Sequence, residues 1–77
     1  MNISIIKERV RSKEGKDLKF KFNGSRNQIE EFYGKIISLY PSVFTIEVNN
    51  EHRNVKSFSY SDVLTNSLEI KEIDTGL

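Results

Sequence analysis

The stretch "YPSVFTIEV", residues 40–48, joins a corner to a strand. Pro41 fixes φ at about −65° and has no backbone N–H to donate, so a β-strand cannot continue through it. The residues after the corner alternate between apolar and polar, which is typical of a strand with one buried face. We therefore expect one strand to end at Tyr40 and another to follow with these side chains in the core: Phe44, Ile46 and Val48.

Upstream of the corner, "LKFKF" at residues 18–22 shows the same period of two. Its alternation places Phe20 and Phe22 toward a core and Lys19 and Lys21 toward solvent. This stretch predicts the first strand of the sheet.

Between these two strands lie a turn signal and one long apolar segment. Asn23 and Gly24 both tolerate positive φ and favour a tight turn. In "QIEEFYGKIISLY", residues 28–40, the apolar side chains fall on both faces, and Gly34 lies in the middle. A glycine inside a strand often marks a bulge or bend, so we expect one long strand bent near Gly34.

The C-terminal third is expected to hold a strand, one helical turn and a last strand. The first strand runs from Val55 to Tyr60, and Ser61 or Asp62 can cap the helical turn that follows. The last strand is expected within residues 67–73.

The N-terminal segment, residues 1–16, predicts an amphipathic helix. Asn2 can cap its start, and Gly15 is a natural residue for its end. A helix this short is marginal in water unless its apolar stripe packs on a surface, and the stripe consists of Ile3, Ile6 and Val10.

Together these elements predict a mainly β fold, namely a small five-stranded SH3-like (Sm-like) barrel with an N-terminal α-helix. Closure would remove the exposed strand edges of so small a sheet. We expect a single domain, 1–77, with the helix at 1–16, the barrel at 17–73 and a frayed tail at 74–77.

Composition excludes several kinds of protein. The chain has 77 residues, 36% of them hydrophobic, and no cysteine, which argues against a disulfide framework or a thiolate metal site. Without an apolar run of about 20 residues it is not expected to cross a membrane. We expect a cytoplasmic protein that requires no cofactor.

Catalytic residues are not apparent in the sequence. The only histidine, His52, lies in a polar turn, where an exposed loop residue is the simpler interpretation. Glu30 and Glu31 are adjacent, so on a strand they point to opposite faces and cannot act on one substrate atom. We therefore predict that the chain is not an enzyme.

Basic residues are concentrated near the N-terminus. Residues 1–26 hold eight basic and three acidic side chains, whereas residues 27–77 hold four basic and eight acidic ones. This asymmetry indicates either a basic face for nucleic acid or an acidic partner, or two halves that neutralise each other. The candidate contact residues, completed by two tyrosines that could lie on the surface, are Lys7, Arg11, Lys19, Lys21, Arg26, Tyr40 and Tyr60.

Three stretches together resemble a known family: "NGSRNQIEEFYGKI", "YPSVFTIEV" and "SFSYSDVLT". In this order they are similar to segments of the Veg family of small bacterial proteins, and the resemblance extends over roughly residues 5–71. It implies an SH3-like barrel after an N-terminal helix. It also implies stimulation of biofilm formation through relief of matrix-gene repression.

Two functions remain open at this point. The first is a non-enzymatic regulatory protein that binds a protein partner, such as a transcription regulator. The alternative is a module that binds RNA or DNA directly through the basic residues. An Sm-like ring is a weaker third possibility, and the sequence leaves open whether the chain is a monomer or a homodimer.

Overall fold

A computed structural model describes residues 3–24, 28–49 and 54–73. In these ranges the protein forms an antiparallel five-stranded sheet with two short helices. The strand order is β4-β3-β2-β1-β5. In chain order the elements are α1 (Ile3–Ser12), β1 (Leu18–Asn23), β2 (Ile29–Leu39), β3 (Val43–Val48), β4 (Val55–Ser59), α2 (Tyr60–Leu64) and β5 (Leu68–Glu72).

The long strand β2 joins the two halves of the sheet. Its first half pairs with β1 and its second half with β3, and Gly34 lies at the change of neighbour, opposite Leu18 on one side and Val48 on the other. A Cβ at Gly34 would collide with the carbonyl oxygen of Glu47. Glycine is therefore needed here because the neighbouring backbone approaches closely.

The predicted long strand is confirmed, and β2 has an irregularity close to Gly34. The register between β2 and β3 shifts between Ile36 and Ser38, so the bulge is not at Gly34. Ile37 is exposed there. Gly34 is required because two strands approach each other closely there. A glycine in a sequence does not show whether it allows a close approach or a bulge.

The corner after β2 forms as predicted. The Tyr40 amide donates to the Val43 carbonyl at 2.8 Å, which closes the turn around Pro41 and Ser42. In β3 the apolar side chains Phe44, Ile46 and Val48 are buried.

The sheet curls strongly around an aromatic core. Phe22 of β1 and Phe58 of β4 have ring centroids 5.2 Å apart, although two strands separate β1 from β4 in the sheet. Phe32 stacks on Phe58 at 6.0 Å and on Phe20 at 5.3 Å. Phe44 joins the same cluster through Phe58 at 6.5 Å, so all five phenylalanines of the chain contribute to one core.

The mainly β class and the five strands are confirmed, but a closed barrel is not. Within the described ranges the edge strands β4 and β5 are not paired with each other. The segment between them forms α2, which contacts both strands and α1. A helix at this position takes the place of direct pairing between the edges.

The residue that caps the N-terminus of α2 differs from the predicted one. The strand before it ends at Ser59, and Ser59 is the N-cap in place of Ser61 or Asp62. The Ser59 hydroxyl accepts from the Asp62 amide at 3.2 Å, and the Asp62 carboxylate accepts from the Ser59 amide at 3.1 Å. This reciprocal pair is a capping box, which stabilises a helix of only five residues.

The N-terminal helix is shorter than predicted but docks by the expected stripe. It ends at Ser12, and Gly15 follows with a φ of 81°, a left-handed conformation that favours glycine. Ile6 and Val10 are buried in the same core cluster as Tyr60 and Leu68. The predicted cap at Asn2 lies outside the described residues.

Candidate functional site

The two lysines of β1 lie among carboxylates on the outer face of the sheet. Lys19 Nζ is 3.4 Å from Glu31 Oε2. Lys21 lies between Glu31 of β2 and Glu69 of β5 in the register. Lys19 is opposite Lys71 in the register, but the carboxylates of Glu31 and Glu69 reduce the local positive potential, so these lysines do not form a uniform basic stripe.

The helix cations are less compensated. Lys7 Nζ lies 5.5 Å from the centre of the Tyr60 ring, a cation–π contact. Arg9 and Arg11 are exposed in the last turn of α1 and make no ion pair within the described residues. Arg9 and Arg11 are therefore exposed cations near the negative end of the helix dipole.

Other basic residues near the N-terminus pair with the acidic remainder. Lys13 Nζ is 3.3 Å and Lys16 Nζ is 3.8 Å from the same Glu72 oxygen, which joins the segment after α1 to β5. One pair has the opposite sense, since Asp17 Oδ1 lies 3.7 Å from Lys35 Nζ of β2. The two halves of the chain thus neutralise each other in part, as one of the two interpretations of the charge asymmetry predicted.

The predicted basic residues do not form one surface. Lys7 and Arg11 lie on the helix that packs on the inner side of the sheet, whereas Lys19 and Lys21 project from the outer side. Arg26 lies outside the described residues. The sequence shows the charges of these residues, but only the fold shows that they face different directions.

The two candidate tyrosines have different environments. Tyr60 is only 4% exposed, and its hydroxyl donates to the Tyr40 carbonyl at 2.9 Å. Tyr60 is therefore a core residue of this fold rather than an accessible contact residue. Tyr40 is 52% exposed at the corner and is accessible from solvent.

Two other aromatic residues, Phe58 and Tyr33, also differ in their environments. Phe58 packs against the core. Tyr33 is exposed on the outer face of β2, beside a groove of about 600 Å³ that also contacts Gly34 and Asn49.

A second groove, of about 580 Å³, lies between α1, α2 and β5. Its apolar lining includes Ile6, Leu64 and Ile70, and its charged lining includes Arg9 and Lys71. We call it the α1–β5 groove. The sequence did not indicate it, because its walls come from segments about 60 residues apart in the chain.

The adjacent residues Glu30 and Glu31 do not form a pair of carboxylates on one surface. They lie on opposite faces of β2, as predicted. Glu30 Oε1 accepts from Lys56 Nζ at 2.8 Å across the inner face, and Lys56 also lies over the Phe32 ring. Within residues 3–24, 28–49 and 54–73 there is no group of three potential metal ligands.

In the part of the chain that the structure describes, these features define a class of protein: a small, curled β-sheet with two helices, an outer face of mixed charges and a groove along one sheet edge. Neither described helix is long and apolar enough to span a membrane.

The chain belongs to the Veg family, described as biofilm formation stimulator VEG, whose model matches residues 1–71. Among curated proteins no match was found. The resemblance carried by the turn, corner and helix-cap segments is therefore confirmed.

Proposed function

We propose that this protein is a non-enzymatic regulator that stimulates biofilm formation by binding a protein that controls transcription of matrix genes in the cytoplasm. Membership of the Veg family carries the proposal, because that family is described by stimulation of biofilm formation. Binding is the activity that the described surfaces support best, since they offer an exposed groove and a charged face.

The architecture supports this proposal. We infer that the sheet is a partly open SH3-like barrel, because its strand order is β4-β3-β2-β1-β5 and α2 lies between the two edge strands in the chain. Small barrels of this kind commonly act as recognition modules and present loops and strand edges to partners. Fold likeness alone does not identify the partner.

A genetic experiment tests the regulatory proposal. In a bacterial strain lacking the gene, we expect biofilm mass and the output of a matrix-gene reporter to fall together, and plasmid-borne wild-type protein to restore both. Crosslinking in the living cell, followed by capture and mass spectrometry, should identify a transcription regulator. An unchanged reporter in the deletion strain would contradict action through transcription.

Direct nucleic-acid binding is a second candidate, supported by the cations of α1 that make no ion pair within the described residues. Lys7, Arg9 and Arg11 are exposed on one short helix and could contact phosphates. If they do, affinity for fluorescent RNA and DNA oligonucleotides should fall steeply with salt, and Lys7→Glu with Arg11→Glu should weaken it. This function would be excluded if no binding occurs at low salt. It would also be excluded if the affinity changes neither with salt nor with the two substitutions.

A further inference from the structure

The strand β5 presents an unpaired edge whose outward backbone groups can be identified. The Asn23 amide donates to the Ser67 carbonyl at 2.7 Å, so the backbone of β1 at Asn23 faces β5. Backbone direction alternates along a strand, so Lys19 and Lys21 also face β5, where they pair with Lys71 and Glu69.

The backbone groups of the alternate β5 residues therefore point away from β1. These residues are Leu68, Ile70 and Glu72, and their backbone amides and carbonyls make no backbone hydrogen bond within the described residues. An edge of this kind is a template for one more strand.

The α1–β5 groove runs beside this edge and has an apolar floor. Ile6 of α1, Leu64 of α2 and Ile70 of β5 contribute to it. Its volume is about 580 Å³, and it is open to solvent along its length rather than an enclosed cavity. A strand added to β5 would place alternate side chains on this floor and the others toward solvent.

The charged residues of the groove favour an acidic occupant. Its lining includes three cations, Arg9, Lys13 and Lys71, and one carboxylate, Glu69. Lys13 is paired with Glu72, whereas Arg9 and Lys71 have no ion pair among the described residues. Carboxylates on the occupant would meet Lys71, which pairs with Lys19 in the register, and Arg9 adds positive charge to the groove lining.

We propose that the α1–β5 groove binds an extended segment of a partner protein in which apolar residues alternate with carboxylates, and that this segment adds to β5 as a sixth strand. The inference rests on the proposed function and specifies the surface and the chemistry of the partner. Backbone hydrogen bonds supply affinity, and the apolar and acidic side chains supply specificity. A second copy of the chain fits less well, because its β5 is flanked by its own α1.

A defined peptide tests the proposed chemistry. The probe is a fluorescein-labelled seven-residue peptide with glutamate alternating with valine and isoleucine, followed by fluorescence anisotropy at about 0.15 M ionic strength. We expect saturable binding, and weaker binding by a peptide with lysine in place of each glutamate. Absence of saturable binding, or equal binding of both peptides, would overturn the proposal.

Two arginines of α1 provide a matched pair of variants. Arg9 lines the groove, whereas Arg11, in the same helical turn and also exposed, does not. We expect Arg9→Glu to weaken peptide binding about fivefold, and Arg11→Glu to leave it within about twofold. Equal effects of the two changes would indicate attraction to overall charge and would count against the groove.

Residue-resolved hydrogen exchange locates the peptide. In the free protein the amides of Glu69 and Lys71 should exchange slowly, because they bond to β1, while that of Ile70 exchanges fast. The peptide should slow Ile70 selectively. Binding without this protection would refute strand addition, and so would an Ile70 amide already protected in a protein that sediments as a dimer.

The proposal can fail without the proposed function failing. If plasmid-borne Arg9→Glu protein restores the biofilm as well as wild type and Arg11→Glu do, the regulatory function stands and the groove is not its surface. If wild-type protein does not restore the biofilm, the proposed function fails, whatever the peptide binds.

Discussion

At Gly34, strand β2 stops pairing with β1 and begins to pair with β3. The space at this position admits only the hydrogen atom of a glycine. The carbonyl oxygen of Glu47 and the Ile46 side chain would both meet an added Cβ. Gly15 differs, because the space around it is open and its φ of 81° is what disfavours other residues.

We expect Gly34→Ala to lower the free energy of unfolding by about 1–3 kcal/mol, because the methyl group overpacks a buried site. Urea denaturation followed by circular dichroism measures the loss. Asparagine tolerates a left-handed conformation, so Gly15→Asn should be nearly neutral while Gly34→Asn should cost more than Gly34→Ala. If Gly15→Asn and Gly34→Asn lowered the free energy of unfolding equally, the two glycines would not be required for different reasons, namely φ at Gly15 and lack of space at Gly34.

The hydroxyl of Tyr60 ties the start of α2 to the β2–β3 corner. It donates to the Tyr40 carbonyl at 2.9 Å, and we expect Tyr60→Phe to cost about 1 kcal/mol. Tyr33→Phe is the control, since that side chain is exposed and its hydroxyl has no hydrogen bond within the described residues. Thermal unfolding of the two variants should therefore differ, and equal stabilities would argue against the Tyr60 bond.

Among the elements, α1 depends most clearly on packing. Its ten residues are too few for a stable isolated helix, so docking through Ile6 and Val10 must hold it. Its position against α2 also forms one wall of the α1–β5 groove.

Two adjacent isoleucines allow a direct test of this docking. Ile6 is 5% exposed and Ile5 is 54% exposed. We expect Ile6→Ala to cost about 2–5 kcal/mol through lost burial and a cavity, and Ile5→Ala to change stability by about 0.5 kcal/mol or less. Chemical denaturation compares the two. A loss at Ile5 as large as that at Ile6 would mean that both faces of the helix are buried.

For the whole molecule, ion pairs link the basic N-terminal part of the chain to the acidic remainder. The pairs of Glu72 with Lys13 and Lys16 join the segment after α1 to the last strand. The Glu72 side chain is 59% exposed, so water and salt screen both interactions.

We expect Glu72→Gln to cost less than about 1 kcal/mol at low salt. The difference from wild type should shrink at about 1 M salt, where the Debye length is about 3 Å. Denaturant titrations at the two salt concentrations measure this. A loss above about 2 kcal/mol that persists at high salt would show that the pairs act as buried ones.

The sequence by itself determined the strands, the corner at Pro41 and the inward phenylalanines, because alternation and proline geometry are local properties of a chain. It also identified the family, through motifs that occur in order. Local patterns do not fix which segments become neighbours. Tertiary structure alone decided that β2 changes neighbours at Gly34, that Tyr60 is buried, and that the basic residues face different sides.

The α1–β5 groove is the clearest case of this difference. Arg9 and Lys71 are distant in sequence, and no periodicity connects them. They line one groove because α1 docks on the core and β5 is an edge strand, and both facts follow from long-range packing of apolar side chains. The sequence determined what each element is, and packing decided which surfaces the elements form together.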